Sequence, residues 1–150
     1  MNYIDLTDSI KKILKEKKEN CLQEIIDLIY SNFSHYNWIG IYIVKDGMLH
    51  LGPWNGEHAT EHVKIPIGKG ICGSAAKTGN TEIIPDVRSD DRYLACFIST
   101  KSEIVVPIKK GDQVLGEIDI DSDKPNAFTD DDKEFLENIA DMLSMHIHNL

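Results

Sequence analysis

The chain has few cysteines and no long apolar run. Its 150 residues contain three cysteines, an odd number at unequal spacing that does not make the disulfide framework of a small secreted domain. The longest apolar stretch, residues 38–44, is far shorter than the roughly 20 residues that a membrane-spanning helix needs. The first 18 residues lack the apolar core of a signal peptide. We therefore expect a cytoplasmic protein with reduced thiols and no membrane partner.

Positive charge is also scarce. Sixteen lysines and arginines stand against 25 aspartates and glutamates, which gives a formal net charge of −9. A protein with this charge repels nucleic-acid phosphates and anionic lipids, so no nucleic-acid partner is predicted. Hydrophobic residues make up 41% of the chain and charged residues 27%, a composition typical of globular proteins. Residues 1–150 are the right size for a single domain whose core needs neither disulfides nor a metal.

Apolar periodicity predicts helices at both ends of the chain. Apolar residues at helical spacing indicate two helices within residues 1–33 and one helix within residues 129–149. A charged patch, residues 15–19, separates the first two helices. Two polar pairs are typical of helix caps: Asn20 with Gln23, and Thr129 with Asp132.

Between these helices, residues 37–121 are predicted to form a sheet and its loops. Six segments rich in β-branched residues alternate with turns, at residues 38–44, 48–54, 63–67, 81–84, 104–108 and 113–121. A short helix is predicted at residues 71–77, and a helical turn around Cys96. Repeated hairpins favour an α+β fold, a central antiparallel sheet of about six strands with helices packed on one side of it. A parallel doubly wound fold would need a helix between most strands.

Residues 68–73 match the G-x-G-x-x-G pattern of dinucleotide-binding loops. The pattern is misleading, because the following helix is short and the neighbouring strands are tied by hairpins instead of βαβ crossovers. We interpret these glycines as a tight turn. The turn places Cys72 near a helix N-terminus, where unpaired amides and the helix dipole are expected to stabilise a thiolate.

An acidic strand is a candidate for chemistry. Glu117, Asp119 and Asp121 alternate, so that their side chains share one face of a strand. We expect Glu117 to face water. Aspartates two apart work against strand propensity, and carboxylates clustered in a cleft would raise one another's pKa and keep a proton donor near neutrality. Glu103 could join them from the neighbouring strand.

The cysteines and histidines are weaker signals. A lone cysteine among apolar residues is usually a small buried hydrophobe, an interpretation that fits Cys21 better than Cys96. Whether Cys72 and Cys96 approach each other is left open by the sequence. His58 and His62 are four residues apart but lack a third ligand, so no metal site is predicted. The histidines near the C-terminus, His146 and His148, are expected to be solvated.

Six segments of the chain resemble the free methionine-(R)-sulfoxide reductases, which are small, stand-alone GAF-domain enzymes. The segments are residues 37–42, 51–54, 65–73, 95–96, 102–107 and 116–122. The cysteine spacing together with Ser-Glu-Ile and Asp-Ile-Asp-Ser is more specific than a general GAF match. The resemblance implies a GAF fold, usually a homodimer, that reduces free methionine sulfoxide without a cofactor and is recycled by thioredoxin or a similar reductant.

The resemblance also implies residue roles. Cys96 matches the attacking cysteine, which would become a sulfenic acid, and Cys72 a resolving cysteine, which would condense with it to a disulfide. Acids of the pocket would donate a proton and hold the substrate's ammonium group. The matching acids and the aromatic substrate contacts are Glu103, Asp119, Asp121, Trp38, Tyr42 and Trp54.

The sequence departs from the family pattern at two positions. His62 stands where many members carry a further cysteine, and Phe97 replaces the acidic residue that usually follows the attacking cysteine. The alternative function is a non-catalytic GAF sensor that binds a small molecule in the same pocket, and a third option is an inactive adaptor. An acidic pocket suits a cation better than a phosphate, and the paired cysteines favour the enzyme.

Overall fold

The computed structural model describes residues 2–94, 97 and 99–147, and its centre is a six-stranded antiparallel sheet. In chain order the strands are β1 (Trp38–Lys45), β2 (Met48–Gly56), β3 (Lys64–Pro66), β4 (Glu82–Ile84), β5 (Ser102–Lys110) and β6 (Gln113–Ser122). Their order across the sheet is β3-β2-β1-β6-β5-β4. The predicted α+β fold is confirmed, and the strands lie where hairpin turns and β-branched segments placed them.

Four helices flank this sheet within the described residues: α1 (Tyr3–Glu16), α2 (Cys21–Asn32), α3 (Gly70–Thr78) and α4 (Asp130–Ile147). Helices α1, α2 and α4 pack on one face of the sheet, against isoleucines that alternate along the central strands. Helix α3 covers the other face with residues such as Cys72 and Ala75. The prediction that all helices lie on one side is therefore wrong. The second face carries Trp38, Tyr42 and Leu49, and these large apolar side chains need a cover of their own. No helix of the described residues has the length and apolarity needed to cross a membrane.

Of the two predicted helix caps, one forms. Thr129 and Asp132 cap α4 reciprocally, with the Thr129 amide donating to Asp132 Oδ2 at 2.8 Å and the Asp132 amide to Thr129 Oγ1 at 3.4 Å. Asn20 occupies the N-cap position of α2, but its side chain makes no capping hydrogen bond. Gln23 Nε2 donates instead to the backbone carbonyl of Trp54, 3.0 Å away on β2. The Gln23 side chain therefore links α2 to β2 and does not cap the helix.

The glycine-rich turn leads from β3 into α3. Gly68 and Gly70 have φ angles of 95° and 69°, a region that residues with a side chain rarely adopt. The Gly68 amide closes the turn by donating to the carbonyl of Gly73 at 2.8 Å. The tight-turn interpretation is thus confirmed. The turn sets the start of α3, and with it the position of Cys72 over the sheet.

Candidate active site

The register of three adjacent strands assembles an acidic patch on the face that α3 covers. Asp121 of β6 lies opposite Trp38 of β1 on one side and opposite Glu103 of β5 on the other. In the next row of the same face, Asp119 lies opposite Gly40. Since residues two apart on a strand share a face, these acids point to the same side as Trp38. The structure therefore brings together Trp38, Glu103, Asp119 and Asp121 on one face of the sheet.

Helix α3 adds a sulfur to this patch. Cys72 Sγ, one carboxylate oxygen of Glu103 and one of Asp119 all lie within 4.8 Å of one another. The three residues are buried, with 6%, 4% and 2% of their surface exposed, respectively. Cys72 carries a free thiol. The site thus joins a thiol and several carboxylic acids in an environment nearly closed to water.

Burial dominates the acid–base properties of the carboxylic acids. It raises the pKa of Glu103 and of Asp121 well above the ordinary value, and the negative charge of Asp119 raises the pKa of both further. Burial also raises the pKa of Asp119. Among the described residues, no lysine or arginine lines the cavities beside this cluster. The cluster is therefore able to hold protons near neutral pH.

Glu117 corrects an expectation. Its side chain was expected to face water, but it is 0% exposed, because α3 covers this face of the sheet. Burial, and next the charge of Asp119, raise the pKa of Glu117 well above the ordinary value. Among the described residues, no backbone amide or cationic side chain donates to its carboxylate, and the Cys72 thiol is the hydrogen-bonding group beside it. A fourth buried acid therefore belongs to the cluster.

The Cys72 thiol contradicts the expected effect of the helix start. Burial raises the pKa of Cys72 well above the ordinary thiol value, and the surrounding carboxylates, led by Asp119, raise it further. The third residue of a helix gains only about 0.3–1 kcal/mol from the dipole for a negative charge, whereas removing an ion from water costs several kcal/mol. The prediction of a stabilised thiolate is wrong, and Cys72 is a protonated thiol at neutral pH.

Two cavities open beside the acids. The first is a narrow cleft where Tyr42, His62 and Leu94 surround Cys72, Glu103 and Asp119. The second has a volume of about 120 Å³ and reaches Asp121. Its wall includes Trp38, Phe97, Thr100, Glu57 and His58. The wall of the second cavity contains both carboxylate and aromatic groups, which suits a small molecule with one cationic and one apolar part.

Two glycines make room for the aromatic wall. A Cβ atom at Gly40 or at Gly56 would approach atoms of the Trp38 indole to 2.4 or 2.5 Å, closer than real side chains come, so the ring lies over both positions. Trp54 lines neither cavity; it stacks against Trp38 with ring centroids 6.3 Å apart and an interplanar angle of 15°. The ring centroid of Phe97 is 6.1 Å from that of Trp38. Gly40, two residues after Trp38 on β1, was a signal for the wall that sequence analysis did not use, and Gly56 lies opposite Trp38 on β2.

Tyr42 contributes to the cleft in a different way. Its side chain is buried, and its hydroxyl donates a hydrogen bond of 2.8 Å to the backbone carbonyl of His62. This bond ties the loop after β2 to the central strand. It also holds His62 in the cleft, at the position where many family members carry a further cysteine.

Cys96 and the helical turn predicted around it lie outside the described residues. The residues on either side are described: Leu94 lines the cleft and Phe97 lines the larger cavity.

An arginine clamp that sequence analysis missed anchors the start of this segment. Arg92 donates to both carboxylate oxygens of Glu82 on β4, at 2.9 and 3.2 Å. It also donates to both oxygens of Asp90, at 3.0 and 2.7 Å. The planar guanidinium satisfies two carboxylates at once, a geometry that lysine cannot reproduce. The clamp fixes the loop to the sheet four residues before Cys96.

The remaining cysteine lies on the opposite face of the sheet. Cys21 is buried in the core beneath α1, α2 and α4, as expected from its apolar setting. Its Sγ atom is 3.1 Å from Nε2 of His146. His146 is partly buried and not fully solvated, and His148, for which the same was expected, lies outside the described residues. The sheet separates Cys21 from the acidic cluster.

Comparisons with known proteins agree with this architecture. Residues 18–147 match the family model described as a GAF domain. Free methionine-R-sulfoxide reductase of Escherichia coli is 38% identical over 116 residues, which cover 77% of this chain and 69% of that protein.

Solved structures extend the likeness to the whole fold. Type II free methionine-R-sulfoxide reductase from Thermoplasma acidophilum has a TM-score of 0.84 at 39% identity, covering 91% of this chain and 96% of that one. The fRMsr of Staphylococcus aureus in complex with substrate has a TM-score of 0.87 at 36% identity, covering 97% and 95%. This chain is a GAF domain and belongs to the family of the free methionine-R-sulfoxide reductases.

Proposed function

We propose that this protein reduces free methionine-(R)-sulfoxide to methionine, with Cys96 as the attacking sulfur and Cys72 as the resolving sulfur. The observation that carries the proposal is the buried cluster of one thiol and four carboxylic acids beside an aromatic cavity, in a chain of this family. A GAF sensor needs only a pocket that binds its ligand, whereas thiol-dependent reduction of a sulfoxide uses a thiol and proton-donating acids side by side.

The first step transfers the sulfoxide oxygen. The Cys96 sulfur attacks the electrophilic sulfur of the sulfoxide, and its oxygen leaves that sulfur only when it is protonated. Glu103, Asp119 and Asp121 are suited to donate this proton, because burial raises the pKa of each carboxylic acid. The products are methionine and the sulfenic acid of Cys96. The substrate sulfur is reduced by two electrons, and the cysteine sulfur is oxidised by two.

The acids also explain why a free amino acid would be selected. Asp121 is buried in the wall of the larger cavity, with the carboxyl group of Glu103 as its hydrogen-bonding neighbour. Among the described residues, no backbone amide or cationic side chain donates to its two oxygens. A free amino acid brings an ammonium group that can satisfy these oxygens, whereas a peptide-bound residue has a neutral amide there. Trp38 and Phe97 give the apolar part of the side chain a surface to pack on.

The second step forms a disulfide. The Cys72 sulfur attacks the sulfenic sulfur of Cys96, a disulfide forms, and the hydroxyl of the sulfenic acid leaves as water. The Cys72 thiol must lose its proton as it attacks. Asp119, whose negative charge raises the pKa of that thiol, can take this proton once it has given its own to the sulfoxide oxygen. With His62 in place of a further cysteine, the proposed cycle uses two thiols. A dithiol reductant, in our proposal thioredoxin, then restores both thiols by exchange.

The family resemblance supports two further features of the proposal. We propose that the protein works as a homodimer and that it acts in the cytoplasm, where thioredoxin-like reductants are kept reduced.

Thiol titration tests the reaction. Reduced protein mixed with free methionine-(R)-sulfoxide, without any reductant, should lose two thiols per chain as one methionine forms. Cys21→Ser is the matched control and should lose the same two thiols, because Cys21 lies on the other side of the sheet. Binding of the sulfoxide with no loss of thiols would contradict the proposal and favour the sensor.

The arginine clamp gives a prediction about positioning. Arg92→Ala should lower kcat by about 100-fold with a much smaller change in KM, since a displacement of about 1 Å at a reacting group is enough for such a loss. Steady-state kinetics at saturating reductant measures both constants. Arg92→Lys should recover only part of the rate.

The matched control for this variant is Arg88→Ala. Arg88 belongs to the same loop, but its side chain is 75% exposed and its ion pair with Asp86 is 3.6 Å long. Its kcat should stay close to the wild-type value. Equal rates for the two alanine variants would show that the clamp does not position the reacting cysteine.

A further inference from the structure

The triad of Cys72, Glu103 and Asp119 also has the composition of a metal site. One sulfur and two carboxylate oxygens, each from a different residue, lie within 4.8 Å of one another. Zinc binds thiolate and carboxylate ligands at about 2.0–2.3 Å, which places ligand atoms about 3.3–3.8 Å apart. Closing the triad onto an ion therefore needs side-chain movements of no more than about 1 Å.

A second observation comes from Glu117. This residue is outside the triad, but its carboxylate is fully buried beside it, within hydrogen-bonding reach of the Cys72 thiol. Among the described residues, no backbone amide or cationic side chain donates to Glu117 or to Asp119 Oδ1. Buried carboxylate oxygens are normally satisfied by donors or cations. No lysine or arginine lines the cleft, as far as the described residues form it, so a small cation that displaces the protons of the thiol and the acids has no fixed positive charge to compete with.

The donor set selects the kind of cation. Calcium and magnesium prefer all-oxygen sites with six or more ligands, whereas thiolate ligands favour zinc and other soft or borderline ions. The cleft gives such an ion access to a fourth position, and His62 lines the same cleft. A thiophilic divalent cation therefore fits better than a hard one.

We propose that the reduced protein binds one zinc ion through Cys72 Sγ and the carboxylates of Glu103 and Asp119, and that the bound ion blocks sulfoxide reduction. Zinc occupies the sulfur and the acids that the catalytic cycle needs. Formation of the Cys72 disulfide removes the sulfur ligand, so the oxidised protein releases the ion. Binding follows from the geometry alone, whereas the inhibition and the release on oxidation rest on the proposed function.

Zinc titration of reduced, metal-free protein against a chromophoric zinc indicator tests the binding. Wild type should bind one ion per chain. Cys72→Ser and Asp119→Asn should each weaken binding by more than about 100-fold, since loss of an outer-shell partner alone costs up to that much. Circular dichroism and thermal unfolding establish that both variants are folded. Wild type that does not compete with the indicator would overturn the proposal.

The chain offers a matched control on the other face of the sheet. There Cys21 Sγ and His146 Nε2, a second set of possible zinc ligands, lie 3.1 Å apart. Cys21→Ser and His146→Asn should bind zinc as tightly as wild type. Cobalt(II) in place of zinc should give a thiolate charge-transfer band that Cys72→Ser removes and Cys21→Ser keeps. Loss of the band in Cys21→Ser, with retention in Cys72→Ser, would place the ion at Cys21 and His146 and overturn the assignment.

Activity assays separate inhibition from binding. Micromolar zinc should inhibit wild type and Cys21→Ser, a chelator should restore the rate, and magnesium should have no effect. Full activity of the zinc-loaded protein would overturn the inhibitory part. Absence of reductase activity in metal-free protein together with tight zinc binding would refute the proposed function and leave the metal site standing.

Discussion

Cys96→Ser should abolish the formation of methionine from free methionine sulfoxide, whereas Cys72→Ser should still form about one methionine per chain, because only the resolving step needs the second sulfur. Serine cannot accept the sulfoxide oxygen as a cysteine sulfur does, so no chemistry should begin without Cys96. Without Cys72 the first step proceeds and stops at a sulfenic acid. The measurement is a single-turnover assay of methionine by chromatography.

Two further readouts sharpen this prediction. A sulfenic-acid probe should label Cys72→Ser after one turnover and should not label Cys96→Ser. Cys21→Ser should keep the full multiple-turnover rate with a dithiol reductant, because it removes a thiol without touching the acidic cluster. Multiple turnovers by Cys96→Ser would refute the assignment of the attacking sulfur. Burst formation of more than one methionine per chain by Cys72→Ser would refute the resolving role of Cys72.

The sheet could be predicted from the sequence in some detail. Hairpin turns and strand alternation are local signals, and they place Asp119 and Asp121 on one face and Ile118 and Ile120 on the other, as observed. The residues that a strand meets across the sheet are set by register. The pairing of Asp121 with both Trp38 and Glu103 therefore became known only from the structure.

What covers a face could not be predicted in the same way. Alternation indicates that Glu117 shares a face with Asp119, but it does not say that the short helix α3 lies over that face. The expected ionisation of Cys72 was wrong for the same reason. A helix start favours a thiolate locally, whereas burial under the helix among four acids favours the thiol more strongly. Errors at both residues thus have one cause, the tertiary position of a nine-residue helix.

The arginine clamp shows a different limit. Arg92 and Asp90 are near neighbours, and their pairing is a local feature that a loop sequence allows. The bidentate contact with Glu82 depends on β4 lying beside the loop, which no spacing in the sequence indicates. The sequence alone therefore shows a polar loop that ends at Arg92 and gives no partner for this arginine across the sheet.

The acidic cluster should lower the stability of the folded protein and support its activity, and Asp121→Asn should reveal both effects. Burial raises the pKa of Asp121 well above its ordinary value. Asparagine keeps the shape of the side chain but removes its proton exchange and its charge. We expect kcat/KM to fall by about 100-fold or more, within the range for loss of an acid–base group. At pH 8 the melting temperature should rise by several degrees.

The sign of the stability effect follows from proton uptake. In the unfolded chain Asp121 loses its proton near the ordinary carboxyl pKa, whereas in the folded chain it keeps the proton to a higher pH. The folded state therefore binds more protons between these two pKa values, and its stability relative to the unfolded state falls as pH rises through that window. Wild type should consequently unfold at a higher temperature at pH 5 than at pH 8. The gain from Asp121→Asn should be large at pH 8 and should shrink towards pH 5.

Thermal unfolding at several pH values in chelator-treated buffer measures the effect on stability, and steady-state kinetics measures the effect on activity. Asp112→Asn is the matched control, since Asp112 is an exposed carboxylate in the turn between β5 and β6. It should change neither the activity nor the pH dependence. An Asp121→Asn variant that is less stable than wild type at pH 8 would mean that the carboxylate is satisfied in the folded state. Such a result would mean that Asp121 is ionised near neutral pH. An acid that is stable as an anion has no proton to give to the sulfoxide oxygen.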